Sequence, residues 1–246
     1  MKILSVSTAT NYLSVALNDG QKVLVEKGEP DERNHSEHLD PLIDEILTSN
    51  NLALTDIDRF AVANGPGSYT GLRIGVTTMK MFASILNKEL VGISTLEALA
   101  ASSTAENTLI VAGIDARNDN YFAGAYIKRD GQLTNVLADG HYHITTLLEA
   151  VKQIANTNSF GKIEFLGTGF DKQASALTQL PLPISYGTEQ QNLIHAGLIG
   201  RLAESVQPVD PDLLLPNYLR RTQAEVDWHQ KTGQPFAPDS DYVEEV

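Results

Sequence analysis

The residue types that chemistry needs are concentrated in one run, Asn64-Gly65-Pro66-Gly67-Ser68-Tyr69-Thr70-Gly71-Leu72-Arg73-Ile74-Gly75. Gly65 and Gly67 let main chain approach a ligand, Ser68 and Thr70 supply hydroxyls, and Arg73 supplies a cation. The apolar stretch 60–63 before the run reads as a buried strand. Residues 76–86 after it read as a helix carrying Met79, Met81, Phe82, Ile85 and Leu86. A strand that passes through a glycine loop into a helix is a platform for anions, because the first turn of the helix has free N–H groups and the positive end of the dipole.

The spacing fits the known nucleotide loops badly. A P-loop closes on Gly-Lys-Ser/Thr, whereas Gly71 is followed by Leu72 and Arg73. The dinucleotide fingerprint needs a third glycine three residues after the second, yet Ser68, Tyr69 and Thr70 follow Gly67. Gly67, Gly71 and Gly75 instead recur at every fourth position, so Gly71 and Gly75 share one face of a helix that starts near Ser68. A glycine inside a helix costs roughly 1 kcal/mol relative to alanine. Two in adjacent turns imply a compensating close approach by another backbone. The favoured reading is a packing face, taken by a partner's helix. A phosphate cradle, or a plain tight turn at Gly65 and Gly67, is the alternative. Ser68 lacks the G-x-S-x-G setting of a nucleophile and reads as a helix cap. Arg73, in the second turn, reads as a local salt-bridge former.

Histidines offer little. His35 and His38 stand near a helix start, and His141 and His143 share one side of a strand, but neither pair has an evident third ligand. No H-E-x-x-H is present. Neither a metal centre nor a catalytic set is expected.

The elements that position the run are read from periodicity. Residues 3–6 form a strand, 12–17 and 23–26 two more, with a hairpin at Asn18-Asp19-Gly20. A helix follows, capped by Asn34 or Ser36, with Leu39, Leu42, Ile43, Ile46 and Leu47 on one face. Residues 90–93 give a strand and 95–105 an alanine-rich helix. The pattern then recurs: 109–115 matches the first strand, 121–128 the second, and Asp130-Gly131-Gln132 repeats Asp19-Gly20-Gln21. A helix over 144–155, a strand over 163–166 and a helix over 191–205 complete the series. Such tandem units describe a duplicated α/β fold of the actin-like (ASKHA, ribonuclease H-like) kind, two βββαβα-type subdomains with mixed sheets. The expected boundaries are 1–106, 107–210, and a return segment with an acidic, mobile tail over 211–246.

In that fold, Ser7 and Asp115 stand at the strand ends that face phosphate and metal. Ser7 has no charge for Mg²⁺, which counts against a self-sufficient kinase or ATPase. Arg117 stands beside Asp115 on the second turn, where a structural ion pair is the favoured role.

Composition sets the limits. The chain has 246 residues, 42% of them hydrophobic, enough for a substantial core. Its net charge of −13 argues against gripping nucleic acid unaided. Zero cysteines exclude thiol chemistry and disulfides and suit the cytoplasm. No apolar run long enough to span a membrane is present, and the N-terminus lacks a signal peptide's cleavage region.

Residues 3–10, the run 64–75, Gly92-Ile93-Ser94-Thr95-Leu96, Gly113-Ile114-Asp115-Ala116-Arg117 and Tyr218-Leu219-Arg220 together resemble the bacterial TsaB (YeaZ) family. One departure is Ser7, where that family usually carries Asp. The resemblance implies an accessory, non-catalytic subunit that pairs with the paralogue TsaD, which holds the metal and transfers threonylcarbamoyl to adenosine (t6A) in tRNAs reading codons that start with A. It also implies the ATPase TsaE as a partner, with TsaC supplying threonylcarbamoyl-adenylate. A homodimer is expected when the chain is alone, and tRNA contact only through the complex. No cofactor of its own is expected, at most an adenine nucleotide shared in the complex. Pairing through N-terminal helices makes Leu39, Leu42, Ile43, Ile46, Gly71, Ile74, Gly75, Thr78, Met79 and Phe82 the expected interface. Gly65, Gly67, Ser68, Thr70, Arg73, Asp115 and Arg117 are the expected loop and anion contacts. A nucleotide kinase of the same fold and, more weakly, a peptidase are the competing readings.

Overall fold

The first strand sets the architecture. In β1 (Lys2–Ser7), Ile3, Leu4 and Val6 are all fully buried, because both faces of the sheet are covered. β1 pairs antiparallel with β2 (Tyr12–Asp19), which pairs antiparallel with β3 (Lys22–Pro30) across the Asp19-Gly20 turn. On its other side β1 runs parallel to β4 (Arg59–Gly65), and β4 parallel to β5 (Glu89–Ser94), giving the order β3-β2-β1-β4-β5. α1 (His35–Ser49) leads from β3 towards β4, and α2 (Tyr69–Leu86) joins β4 to β5. The computed structural model describes residues 1–30, 34–129, 131–220, 228, 231 and 232. Asp130 and the acidic stretch 235–246 lie outside them.

The second half repeats the first. β6 (Thr108–Asp115), β7 (Asn120–Arg129) and β8 (Gln132–His143) form the antiparallel part, and β9 (Lys162–Gly167) and β10 (Ile184–Tyr186) the parallel part, in the order β10-β9-β6-β7-β8. α4 (Ile144–Thr157) precedes β9, and the single turn α5 (Ala174–Leu177) precedes β10. α5 and β10 have no sequence period to announce them. The duplicated actin-like fold with mixed sheets is therefore what the chain adopts.

Two further helices lie between the sheets. α3 (Thr95–Ala100) and α6 (Ala196–Ala203) share a core with Ile3 and Ala61 of the first sheet and Ile110 and Ala112 of the second. α1 and α2 cover the outer face of the first sheet, and α4 with α5 the outer face of the second. α3 stops at Ala100 rather than near 105: Ser102 Oγ bonds the Leu99 and Gln191 carbonyls, and Ser103 turns to Glu164. α6 is likewise shorter than expected, and it packs against the first sheet rather than with the second subdomain. Three small polar side chains of that sheet receive its start: Ser14 Oγ–H bonds Ile194 O (2.7 Å), Ser5 Oγ–H bonds Ala196 O (2.7 Å), and Asn18 Nδ2–H bonds Gly197 O (3.0 Å). α6 lies within the expected 107–210 subdomain, while these bonds run to the sheet of residues 1–106.

The far end of α6 is held by a buried cation. Arg59 Nη1–H bonds the Ala203, Glu204 and Val206 carbonyls, and its other nitrogens pair with Glu89 (2.6 Å). Arg59→Met would leave those helix-end carbonyls without a donor. The expected cost is about 2–3 kcal/mol, to be read as a lower urea midpoint with an unchanged slope.

Candidate functional site

The glycine loop meets the turn that follows β1. Ser68 caps α2, accepting the Gly71 N–H at 3.3 Å. Its own N–H bonds Ala9 O at 2.8 Å, and Thr8 Oγ1–H bonds Gly71 O at 2.6 Å. A methyl group added to Gly67 would lie inside 3.0 Å of Ala9 O, one on Gly71 inside 3.0 Å of Thr8 O, and one on Gly75 inside 3.0 Å of Thr8 Oγ1. The close backbone that the glycine spacing demands is thus this chain's own. A partner's helix cannot lie on the Gly71 and Gly75 face, because residues 8 and 9 already do.

The same burial removes four more residues from the expected interface. Leu39, Ile43, Ile46 and Met79 are all at most 3% exposed, packed into the first sheet's outer core. Leu42, Ile74, Thr78 and Phe82 remain partly exposed, and on the outward side of α2 they are joined by Met81 (46% exposed) and Ile85 (74%). Ile74, Met81 and Ile85 follow at spacings of seven and four, one stripe of a helix. That spacing was present in the sequence and was masked by the stronger glycine period. Between α1 and α2 runs a groove of about 340 Å³, with Ile74, Arg73 and Thr78 on one wall and Ser36 and Asp40 on the other.

Arg73 makes no local salt bridge among the described residues. Its guanidinium lies over the Tyr69 ring, 4.6 Å from the centroid, and Tyr69 stacks on Tyr218 at 4.6 Å. Thr70 is exposed on the first turn of α2. The segment carrying Tyr218 returns along the first half. Val209 N–H bonds Leu90 O (2.9 Å), Lys80 Nζ bonds the Asp212 and Leu214 carbonyls, Leu214 is buried against Gly92, and Asn217 N–H bonds Asn64 O (2.6 Å). Gly65, at φ +132° with the Asn217 carbonyl against it, has no room for a side chain. The return segment thus closes over the glycine loop from the other side.

The second turn is also spoken for. Asp115 Oδ1 accepts the Arg117 N–H (2.8 Å) and Oδ2 pairs with Lys172 Nζ (2.7 Å). The bond from Lys172, then the Arg117 N–H, holds the carboxyl below its usual range. The ion pair expected of Arg117 is made by Lys172 instead. Arg117, Asn118 and Asp119 are consecutive left-handed residues, φ +69°, +53° and +56°, a run pinned by Asn120 Nδ2–H to Asn118 O and Gln173 Nε2–H to Asp119. Ser7, at the first strand end, is fully buried. His35 bonds Thr10 O, His38 pairs with Glu29, and His143 caps α4, and no metal-binding cluster is found among the described residues.

Two mixed five-stranded sheets of one order, joined by helices between them, define a duplicated actin-like protein whose first turn is filled by its own glycine loop. Residues 29–228 match the family described as TsaD: tRNA N6-adenosine threonylcarbamoyltransferase. The chain is 32% identical over 230 residues to the tRNA threonylcarbamoyladenosine biosynthesis protein TsaB of Bacillus subtilis (strain 168), covering 93% of this chain and 98% of the relative. It is 38% identical over 133 residues to TsaB of Escherichia coli (strain K12), covering 53% and 56%. The solved structure of YeaZ from Pseudomonas aeruginosa superposes with a TM-score of 0.72 over 89% of this chain and 99% of that one, at 24% identity, a likeness of fold. The chain belongs to the TsaB family.

Proposed function

We propose that the chain is a non-catalytic partner subunit in the synthesis of threonylcarbamoyladenosine in tRNA, pairing with the TsaD transferase and acting with the TsaE ATPase in the cytoplasm. The observation that carries this reading is the division of α2 into two faces. One is consumed by Thr8 and Ala9, on the turn where an actin-like kinase would hold phosphate, and the other presents Ile74, Met81 and Ile85 to solvent beside the α1/α2 groove.

In this reading the subunit holds no nucleotide of its own. The Ser68 N–H at the mouth of the loop is spent on Ala9 O, and both oxygens of Asp115 are engaged. Its outward apolar stripe takes the corresponding helix of the transferase in the complex, and a second copy of itself when alone. With a net charge of −13, it meets tRNA only through the complex.

The test is reconstitution of the modification with purified TsaC, TsaD and TsaE, with and without this chain, measuring the modified nucleoside by mass spectrometry. Product is expected only when the chain is present. Equal yields in both reactions would reject the proposal.

A further inference from the structure

One polar cluster on the seam between the halves takes no part in the partner face or the glycine loop. β7 and β8 lose register where Ala123 pairs with Gly140 and Ala125 pairs with Leu137, so Ala138 and Asp139 together oppose Gly124 alone. Such a bulge re-aims a side chain. A methyl on Gly124 would fall inside 3.0 Å of Asp139 Oδ1, so the glycine clears its path. The carboxylate then accepts Tyr126 O–H (2.5 Å) from its own half and Ser94 Oγ–H (2.5 Å) from the other, with Asn135 at 3.5 Å. Ser94 is the last residue of β5, and its Oγ also accepts the Leu96 and Glu97 N–H groups that open α3. One carboxylate therefore ties the edge strand of the second sheet to the helix that fills the seam.

Within the first turn of α3, three residues after Ser94, stands a second carboxylate, Glu97. Among the described residues the Glu97 carboxylate has no hydrogen-bond or ion-pair partner. It lines a cavity of about 320 Å³ at the seam with two cations, Lys128 of β7, which donates to the Ser103 carbonyl, and Arg201 of α6, whose Nε–H donates to the Gln21 carbonyl. Burial, and then the Asp139 charge, raise the Glu97 pKa above its ordinary 4.5.

We infer that Asp139 is a latch that fixes the second half against the first through Ser94, and that negative charge on Glu97 loosens it. A carboxyl whose pKa is raised by folding favours the folded state when protonated. Its contribution is complete below pH 4.5 and is lost as the pH rises through the raised value. Protonation of Glu97 tightens the latch and its ionisation slackens it, and Glu97→Gln imitates the protonated form.

The experiment is hydrogen exchange of the Leu96 and Glu97 amides and of residues 137–140. It compares the full chain with Glu97→Gln, Asp139→Asn and the double variant across pH 4 to 8. Circular dichroism checks that each is folded. Glu97→Gln is expected to slow exchange about tenfold at pH 7, with the difference fading below pH 4.5, and to change nothing in the Asp139→Asn background. Glu97→Gln exchanging at the native rate, or slowing exchange equally whether or not Asp139 is present, would overturn the latch. If Asp139→Asn fails to fold, Ser94→Ala removes the same bond from its other end, and the comparison is read at residues 137–140.

Discussion

Gly71→Ala is expected to lower the stability of the isolated chain by about 2–3 kcal/mol, although alanine is the better helix former. Two effects compete. Helix propensity favours alanine by roughly 1 kcal/mol, while forcing a methyl into a filled space costs about 1–3 kcal/mol or more. The second wins here because the obstacle is Thr8 O, a main-chain atom of a buried turn that cannot rotate away. For a chain of this size the loss corresponds to a melting temperature about 4–12 °C lower.

Gly75→Ala meets a side-chain atom, Thr8 Oγ1, which is bonded to Gly71 O. The two glycines can therefore be told apart. Thr8→Ala should relieve most of the cost of Gly75→Ala and none of that of Gly71→Ala, a coupling that a double-mutant cycle measures directly. Unchanged or raised stability in Gly71→Ala would mean that the glycine face is open after all. The consequence for larger substitutions is plain: Gly75→Leu would abolish association by damaging the monomer, and its loss of binding would say nothing about an interface.

The fold was legible because its signals are local. Asp-Gly turns between alternating strands, the helical spacing of Leu39, Ile43 and Ile46, and the recurrence of the whole pattern after residue 108 each follow from short-range chemistry. The end of α3 and the start of α6 were not legible, because they are set by distant partners. Ser102 reaches the Gln191 carbonyl, and Ser14 holds the Ile194 carbonyl across 180 residues of chain. Placing α6 on the first sheet also needed Ser5, Ser14 and Asn18 to be seen as one cradle, and in sequence they are only three small polar residues within strands.

The site divides in the same way. The four-residue glycine period correctly called for a close backbone, but a period cannot say whose backbone arrives. Thr8 lies 63 residues from Gly71, and nothing in its neighbours marks it. Arg73 was read as a salt-bridge former from its place in the second turn, yet its partner is the Tyr69 ring, itself held by Tyr218 from the far end of the chain. Asp115 found Lys172 rather than Arg117 because the left-handed run at 117–119 gives the turn its main-chain donor to Oδ1 and leaves Oδ2 to the Lys172 ammonium.

Placing charge on the outward stripe should separate binding from folding. Ile74→Arg and Met81→Glu are each expected to weaken association with the transferase partner, and self-association, by about 2–4 kcal/mol, roughly thirtyfold to several hundredfold. Met81 is 46% exposed and Ile74 half-buried at the groove, so both long polar replacements can reach water in the free subunit. The melting temperature should therefore stay within a few degrees of the native value, where Gly71→Ala does not. In a complex the same charges would be buried without a partner, and removing a charge from water uncompensated is what makes the loss large. Ile85→Glu, 74% exposed and at the outer end of the stripe, should cost less than Met81→Glu if the contact centres on the groove. Analytical ultracentrifugation of the chain alone, and titration calorimetry against the transferase, read the two associations separately. Native affinity for both in the Ile74→Arg, Met81→Glu double variant would move the partner surface off α2.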